Sequence, residues 1–192
     1  MTDKPRVPAI DGWFTMEAKP HLIGSQCTDC GTYFFPKQDQ YCRNPGCDST
    51  EFREVELSRT GHIWSYTNAC YKPPTPYVAA DPFEPYAIAA VQLEKEQMVV
   101  LGQVVTGTGV EDLKLGMPVE LVLETLHETD EDVKVTWKWQ PTDATEPAGA
   151  YFDEQLNRYS RRRHAPLGQV GTQFRAVRRG GRAGSAGRRR HS

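Results

Sequence analysis

Two cysteine pairs within twenty-one residues constrain this chain more than any other feature. Cys27 and Cys30 close the stretch CTDC, and Cys42 and Cys47 close CRNPGC, with Gly31 and Gly46 beside the pairs so that a tight turn can aim each set of sulfurs at one point. Two disulfides would need an oxidising compartment, and no charged segment followed by an apolar run precedes the motif. The pattern therefore predicts one zinc ion per chain, held by Cys27, Cys30, Cys42 and Cys47. Four thiolates fill a tetrahedral shell and leave no position for water or substrate, so the metal is expected to be structural. It would fold a segment too small to bury a core, with a binding energy of roughly 10–16 kcal/mol that doubles as folding energy.

Charge separates the chain into two parts. Residues 158–192 carry eleven arginines and no acid, which leaves twelve Lys and Arg against twenty-five Asp and Glu in residues 1–157, a net charge near −13. An acidic body repels a phosphate backbone, so nucleic acid is not an expected partner. No apolar run approaches the twenty residues of a spanning helix, and a cytoplasmic protein without a membrane partner is expected. Cys70 stands outside the metal set and reads as a small hydrophobe.

Hydrophobic periodicity predicts a mainly β chain. Residues 1–22 form an N-terminal segment in which Asp11 to Lys19 is expected as a short helix, capped by Asp11 and stopped by Pro20. Its Trp13, Phe14 and Met16 would present apolar surface, either to the chain's own body or to a partner. The ribbon follows over 23–56. From 57 to 141 come strands at Gly61–Tyr71, Tyr86–Leu93, Met98–Thr106, Pro118–Leu126 and Val133–Trp139, with one helical turn over Val110–Gly116. Gly102 suggests a bend or bulge. That element order is the one of a small OB-fold barrel. Residues 72–85 hold five prolines and form a long loop, whose Tyr77, Val78 and Phe83 suit a ligand, a partner or packing on the barrel. His62 reads as an ordinary strand-start residue. The remainder, 142–192, is a partly helical or disordered tail, with Tyr151, Phe152, Leu156 and Tyr159 at helical spacing over 148–163.

Catalytic constellations are missing from the pattern. There is no G-x-S-x-G, no glycine-rich phosphate loop and no histidine pair at helical spacing, and the carboxylates fall in turns and on alternating solvent faces. No residue is assigned a catalytic role.

The succession CTDCGTYFFP, second cysteine pair, GHIWSYT, proline loop ending in PYAIAAVQL, VVLGQVV and LKLGMPVEL resembles the domain-of-unknown-function 35 family, in which a rubredoxin-like zinc ribbon precedes an acyl-CoA-associated OB fold. The likeness covers about residues 10–141. Two features depart from it: the second knuckle spans four residues where the family usually has two, and the arginine-rich tail lies outside the shared region. The resemblance implies a non-catalytic, obligate subunit of a thiolase-fold enzyme. It is nearest to the partner of the lipid-transfer-protein-like aldolase that cleaves steroid side-chain CoA thioesters by retro-aldol chemistry. It further implies a hetero-oligomer of two plus two subunits, a partner interface at Trp13, Phe14 and Met16, and an acyl-CoA passage bordered by Tyr77, Phe83 and Tyr86. Two other readings stay open at this point: a subunit bridging a thiolase and a hydroxymethylglutaryl-CoA-type synthase, and a nucleic-acid-binding OB module.

Overall fold

The computed structural model describes residues 4–75, 77–79 and 81–142. Among these residues nine strands form two sheets: β1 (Arg6–Pro8), β2 (Ile23–Cys27), β3 (Tyr33–Phe34), β4 (Phe52–Glu56), β5 (Thr60–Ala69), β6 (Tyr86–Leu93), β7 (Val99–Val104), β8 (Pro118–Glu128) and β9 (Val133–Pro141). A single 3-10 turn, Val110–Asp112, joins β7 to β8 and is the whole helical content of the described residues.

The larger sheet runs β1-β9-β7-β6-β5-β8, and β8 also pairs with β9, so β5 to β9 close on themselves. All barrel pairings are antiparallel except β7 with β9. This connectivity, with a helical turn between the third and fourth strands, is that of a five-stranded OB barrel. Alternation sends Ala87, Ala89, Val91 and Leu93 of β6 inward, where they meet Val100 and Val104 of β7 and Trp139 of β9. The indole of Trp139 is fully buried in the same core as the small Ala87 and Ala89.

Gly102 is not a bend. It stands in regular register opposite Ala89. A Cβ there would lie 2.7 Å from Trp139 Nε1 and 2.8 Å from Trp137 Nε1, so glycine is required by the close approach of two indoles. The bulges fall elsewhere, between Ile63 and Ser65 in β5 and between Thr125 and His127 in β8.

The expected helix over Asp11–Lys19 does not form. Gly12 adopts φ +72, which breaks a helix at its first turn, and the chain then runs antiparallel to residues 21–23. Thr15 N–H donates to His21 O at 2.9 Å and Ile23 N–H to Trp13 O at 2.7 Å, with Phe14 bridging Leu22. Residues before it make β1, a parallel addition to β9 that pairs Arg6 with Val133 and Pro8 with Val135. Pro8 is tolerated because β1 is an edge strand.

The smaller sheet, β3-β2-β4, carries the cysteine ribbon. β4 pairs only with β2 and ends at Glu56; Leu57, fully buried, then leads the chain into the barrel. The proposed helix over 148–163 and the arginine tail lie outside the described residues. Among the described residues, no helix is long and apolar enough to cross a membrane.

Candidate metal centre and ligand cleft

The four ribbon cysteines converge. Their sulfurs all lie within 4.8 Å of one another, with Cys27 Sγ 3.8 Å from Cys47 Sγ and Cys30 Sγ 3.5 Å from Cys42 Sγ. A tetrahedral ion with metal–sulfur bonds of about 2.3 Å needs sulfurs about 3.8 Å apart, so the cage fits zinc without rearrangement of the backbone. Each knuckle is built by its own turn. Gly31, at φ +71, donates its N–H to Cys27 O at 3.0 Å and folds Cys30 back towards β2. In the second knuckle, Asn44 Oδ1 accepts from Gly46 N–H at 3.2 Å and Asn44 O accepts from Cys47 N–H at 2.9 Å. This turn absorbs the longer spacing and still returns Cys47 to the cage.

The environment of the sulfurs is uneven. The Thr32 hydroxyl and backbone hold the Cys30 thiol down at about 6, whereas burial pushes the Cys42 thiol up to about 12. Thiolates are the ligands, so metal binding must expel the protons that these thiols still carry. The protein binds one structural zinc through this ribbon.

A second candidate site, a cleft, lies on the barrel. The loop after β5 folds back so that Tyr77 stacks on Tyr86 at 6.3 Å between ring centroids and Phe83 meets Tyr86 edge-on at 6.2 Å. The three aromatics line one cleft of about 410 Å³, whose other side is the segment from Val104 to Gly109 with Lys138. An apolar groove of about 330 Å³, lined by Ile88, Leu101, Leu126 and Trp137, adjoins it across Tyr77, Tyr86 and Gln103. Gln103 Nε2 donates to Tyr77 Oη at 3.2 Å and ties the loop to β7. Burial raises the Tyr86 hydroxyl above the usual phenol range, with the neighbouring Tyr77 acting in the same direction, so Tyr86 stays a protonated donor.

Lys138 escaped the sequence reading. It is 6% exposed, and its ammonium lies 2.8 Å from Glu124 and donates to Thr106 Oγ1 at 2.9 Å. The acids of β8 facing the lysines of β9 were the available signal, once those strands are taken as a hairpin.

The expected interface residues separate. Phe14 is 4% exposed and belongs to the chain's own core, its ring 5.8 Å from that of Trp137. Trp13 is half-buried against Phe35 and Trp137. Phe14 thus packs inward, where the expected helix would have presented it outward. Met16 remains exposed. His62 lies half-buried in β5 and Cys70 is exposed, not buried as expected of a small hydrophobe.

Comparison with known proteins matches this architecture. Residues 14–53 match the profile described as the ChsH2 rubredoxin-like zinc ribbon domain, and residues 54–124 the ChsH2 C-terminal OB-fold domain. A DUF35 domain-containing scaffold protein of Methanocaldococcus jannaschii is 33% identical over 136 residues, covering 68% of this chain and 87% of that protein. A probable enoyl-CoA hydratase alpha subunit of Thermomonospora curvata is 33% identical over 123 residues, which are 62% of this chain and 35% of that longer one. Among solved structures, an Ltp2-ChsH2(DUF35) aldolase aligns with a TM-score of 0.48 and 28% identity over 63% of this chain and 84% of that one. With its thiolate cage, closed five-stranded barrel and a relative matched over most of its length, the chain belongs to the DUF35 family of zinc-ribbon and OB-fold proteins.

Proposed function

We propose that this chain is a non-catalytic accessory subunit of a thiolase-fold enzyme that acts on acyl-CoA thioesters. The observation that carries the reading is the cleft. Among the described residues it is lined by aromatics, threonines, Glu84 and Lys138, and its Thr106 hydroxyl meets Glu124 at 3.0 Å, a carboxylate that Lys138 already neutralises and that is therefore a weak base. A family whose curated relative is called a scaffold protein, and another relative named as a subunit of an acyl-CoA enzyme, support the same role. The finer reading is the one that the sequence resemblance implies: retro-aldol carbon–carbon cleavage of a steroid side-chain CoA thioester by the partner, in a complex of two plus two subunits. On this reading Tyr77, Phe83 and Tyr86 border the acyl passage, and Met16 lies at the subunit interface.

The nucleic-acid alternative is weakened because Trp139 is fully buried and Trp137 packs on Trp13, Phe14 and Phe35, which leaves Trp64 exposed on an acidic body that repels phosphate. The test is reconstitution. The tagged chain is purified from its source cell, copurifying proteins are identified by mass spectrometry, and turnover of β-hydroxy acyl-CoA is measured with and without them. A thiolase-fold partner, with cleavage only in its presence, is the expected result. Cleavage by the isolated chain would overturn the accessory role.

A further inference from the structure

The cleft and the groove differ in chemistry although they share a wall. The groove is lined by Ile88, Leu101, Leu126 and Trp137, whereas the cleft offers Thr106, Thr108 and Lys138. An ammonium has three N–H donors, and Lys138 uses two of them on Glu124 and Thr106. Among the described residues no acceptor takes the third, and Lys138 lines the cleft.

The charge at this floor is already matched. Glu124 lies 2.8 Å from the ammonium, Glu84 also lines the cleft, and the surrounding body is acidic. A carboxylate or phosphate brought to Lys138 would meet Glu124 and Glu84 and lose its hydration, with no unmatched positive charge to receive it. An uncharged carbonyl or hydroxyl oxygen meets no such repulsion and accepts the spare N–H.

We infer that the paired cleft and groove bind an amphipathic, uncharged ligand, its hydrocarbon part in the groove and a neutral oxygen acceptor on Lys138. This rests on the acyl-CoA reading above and deepens it. The neutral acyl-thioester end of the substrate belongs on this subunit, and its phosphorylated nucleotide end belongs elsewhere. Lys138 is then a specificity residue that selects neutral over anionic ligands.

The experiment is calorimetric titration of the zinc-loaded full chain with S-decanoyl-N-acetylcysteamine, decanoate and adenosine 3′,5′-bisphosphate. The neutral thioester should bind, and decanoate should bind roughly tenfold more weakly or less, as burial of an unmatched charge dictates. The bisphosphate should not bind. Lys138→Met alone would strand Glu124, so the variant used is Lys138→Met with Glu124→Leu, which removes both charges together. It should weaken thioester binding about tenfold, the loss of one charge-assisted hydrogen bond, and narrow the gap to decanoate. Decanoate or the bisphosphate binding as tightly as the thioester would overturn the inference, as would an undiminished double variant or no thioester binding at all. None of these outcomes bears on copurification with a thiolase-fold partner, so the accessory-subunit reading stands or falls separately.

Discussion

Among the described residues, all fifteen members of the buried apolar cluster lie outside residues 23–56, from Phe14, Leu22 and Leu57 at the junction to Trp139 at the end of the barrel. The four converging thiols lie inside that span. The ribbon offers the core only half-buried neighbours, Tyr33, Phe35 and Val55, and β3 has two residues. A three-stranded sheet of this size cannot offset its own ordering entropy by burial, so a metal substitutes for the missing core. The barrel is closed, has no free edge between β8 and β9, and buries side chains from every strand. Two neighbouring modules of one chain thus meet the same thermodynamic demand by unrelated means, and each should fail to a different insult.

The largest expected effect is on the ribbon. Cys42→Ser should abolish stoichiometric zinc, at a cost on the order of 10 kcal/mol of ribbon stability, while far-ultraviolet spectra keep the barrel's signature. Metal analysis and circular dichroism check this, and a well-folded variant with one zinc per chain would refute the ligand assignment.

In the barrel, Trp139→Ala should cost about 3–5 kcal/mol in urea unfolding, because the indole is fully buried in the apolar core. Gly102→Ala should cost about 1–3 kcal/mol through its clash with two indoles. Neither should alter zinc content. The pair Trp13→Ala and Phe14→Ala should likewise lower stability, since Phe14 sits in the core at the joint between the two modules.

A smaller effect concerns Glu124. Burial raises its carboxyl, but hydrogen bonds from Lys138 and Thr106 outweigh this and hold it below its ordinary 4.5. A depressed native pKa adds stability that is fully present above the unfolded value and lost as pH falls through the lower native one. Glu124→Gln should therefore flatten the loss of stability below about pH 4.5. Lys138→Met alone should cost about 2–3 kcal/mol near neutrality, a buried-pair figure discounted because Glu124 keeps 32% of its side chain exposed. The smallest effect is expected from deleting 165–192. Its composition, rich in arginine, glycine, serine and alanine, cannot supply a core, and the thermal midpoint and complex formation should not change.

These contrasts also explain what could be read in advance. The cysteine spacing and the strand alternation are local signals, and they point to the ribbon, the barrel and the zinc. The Asp11–Lys19 segment carries equally local helix signals, a cap and a proline stop. Its conformation is instead decided by distant partners, Leu22 and Trp137, and by the left-handed Gly12. β1 was illegible for the same reason, since its register to Val133 spans most of the described chain. In the cleft, Tyr77 and Phe83 of the loop and Tyr86 at the next strand's start are marked by their aromatic rings, whereas nothing local marks Lys138. Only the cross-strand placement of Glu124 and Thr106 shows it to be buried and engaged.

The most direct measurement of the division between metal-held and core-held modules is amide hydrogen exchange on the full chain before and after chelation of zinc. Protection should collapse over β2, β3 and β4 while β6 and β9 keep theirs, as cooperative units of separate stability require. Uniform loss of protection across both sheets, or retention of ribbon protection without metal, would contradict the account.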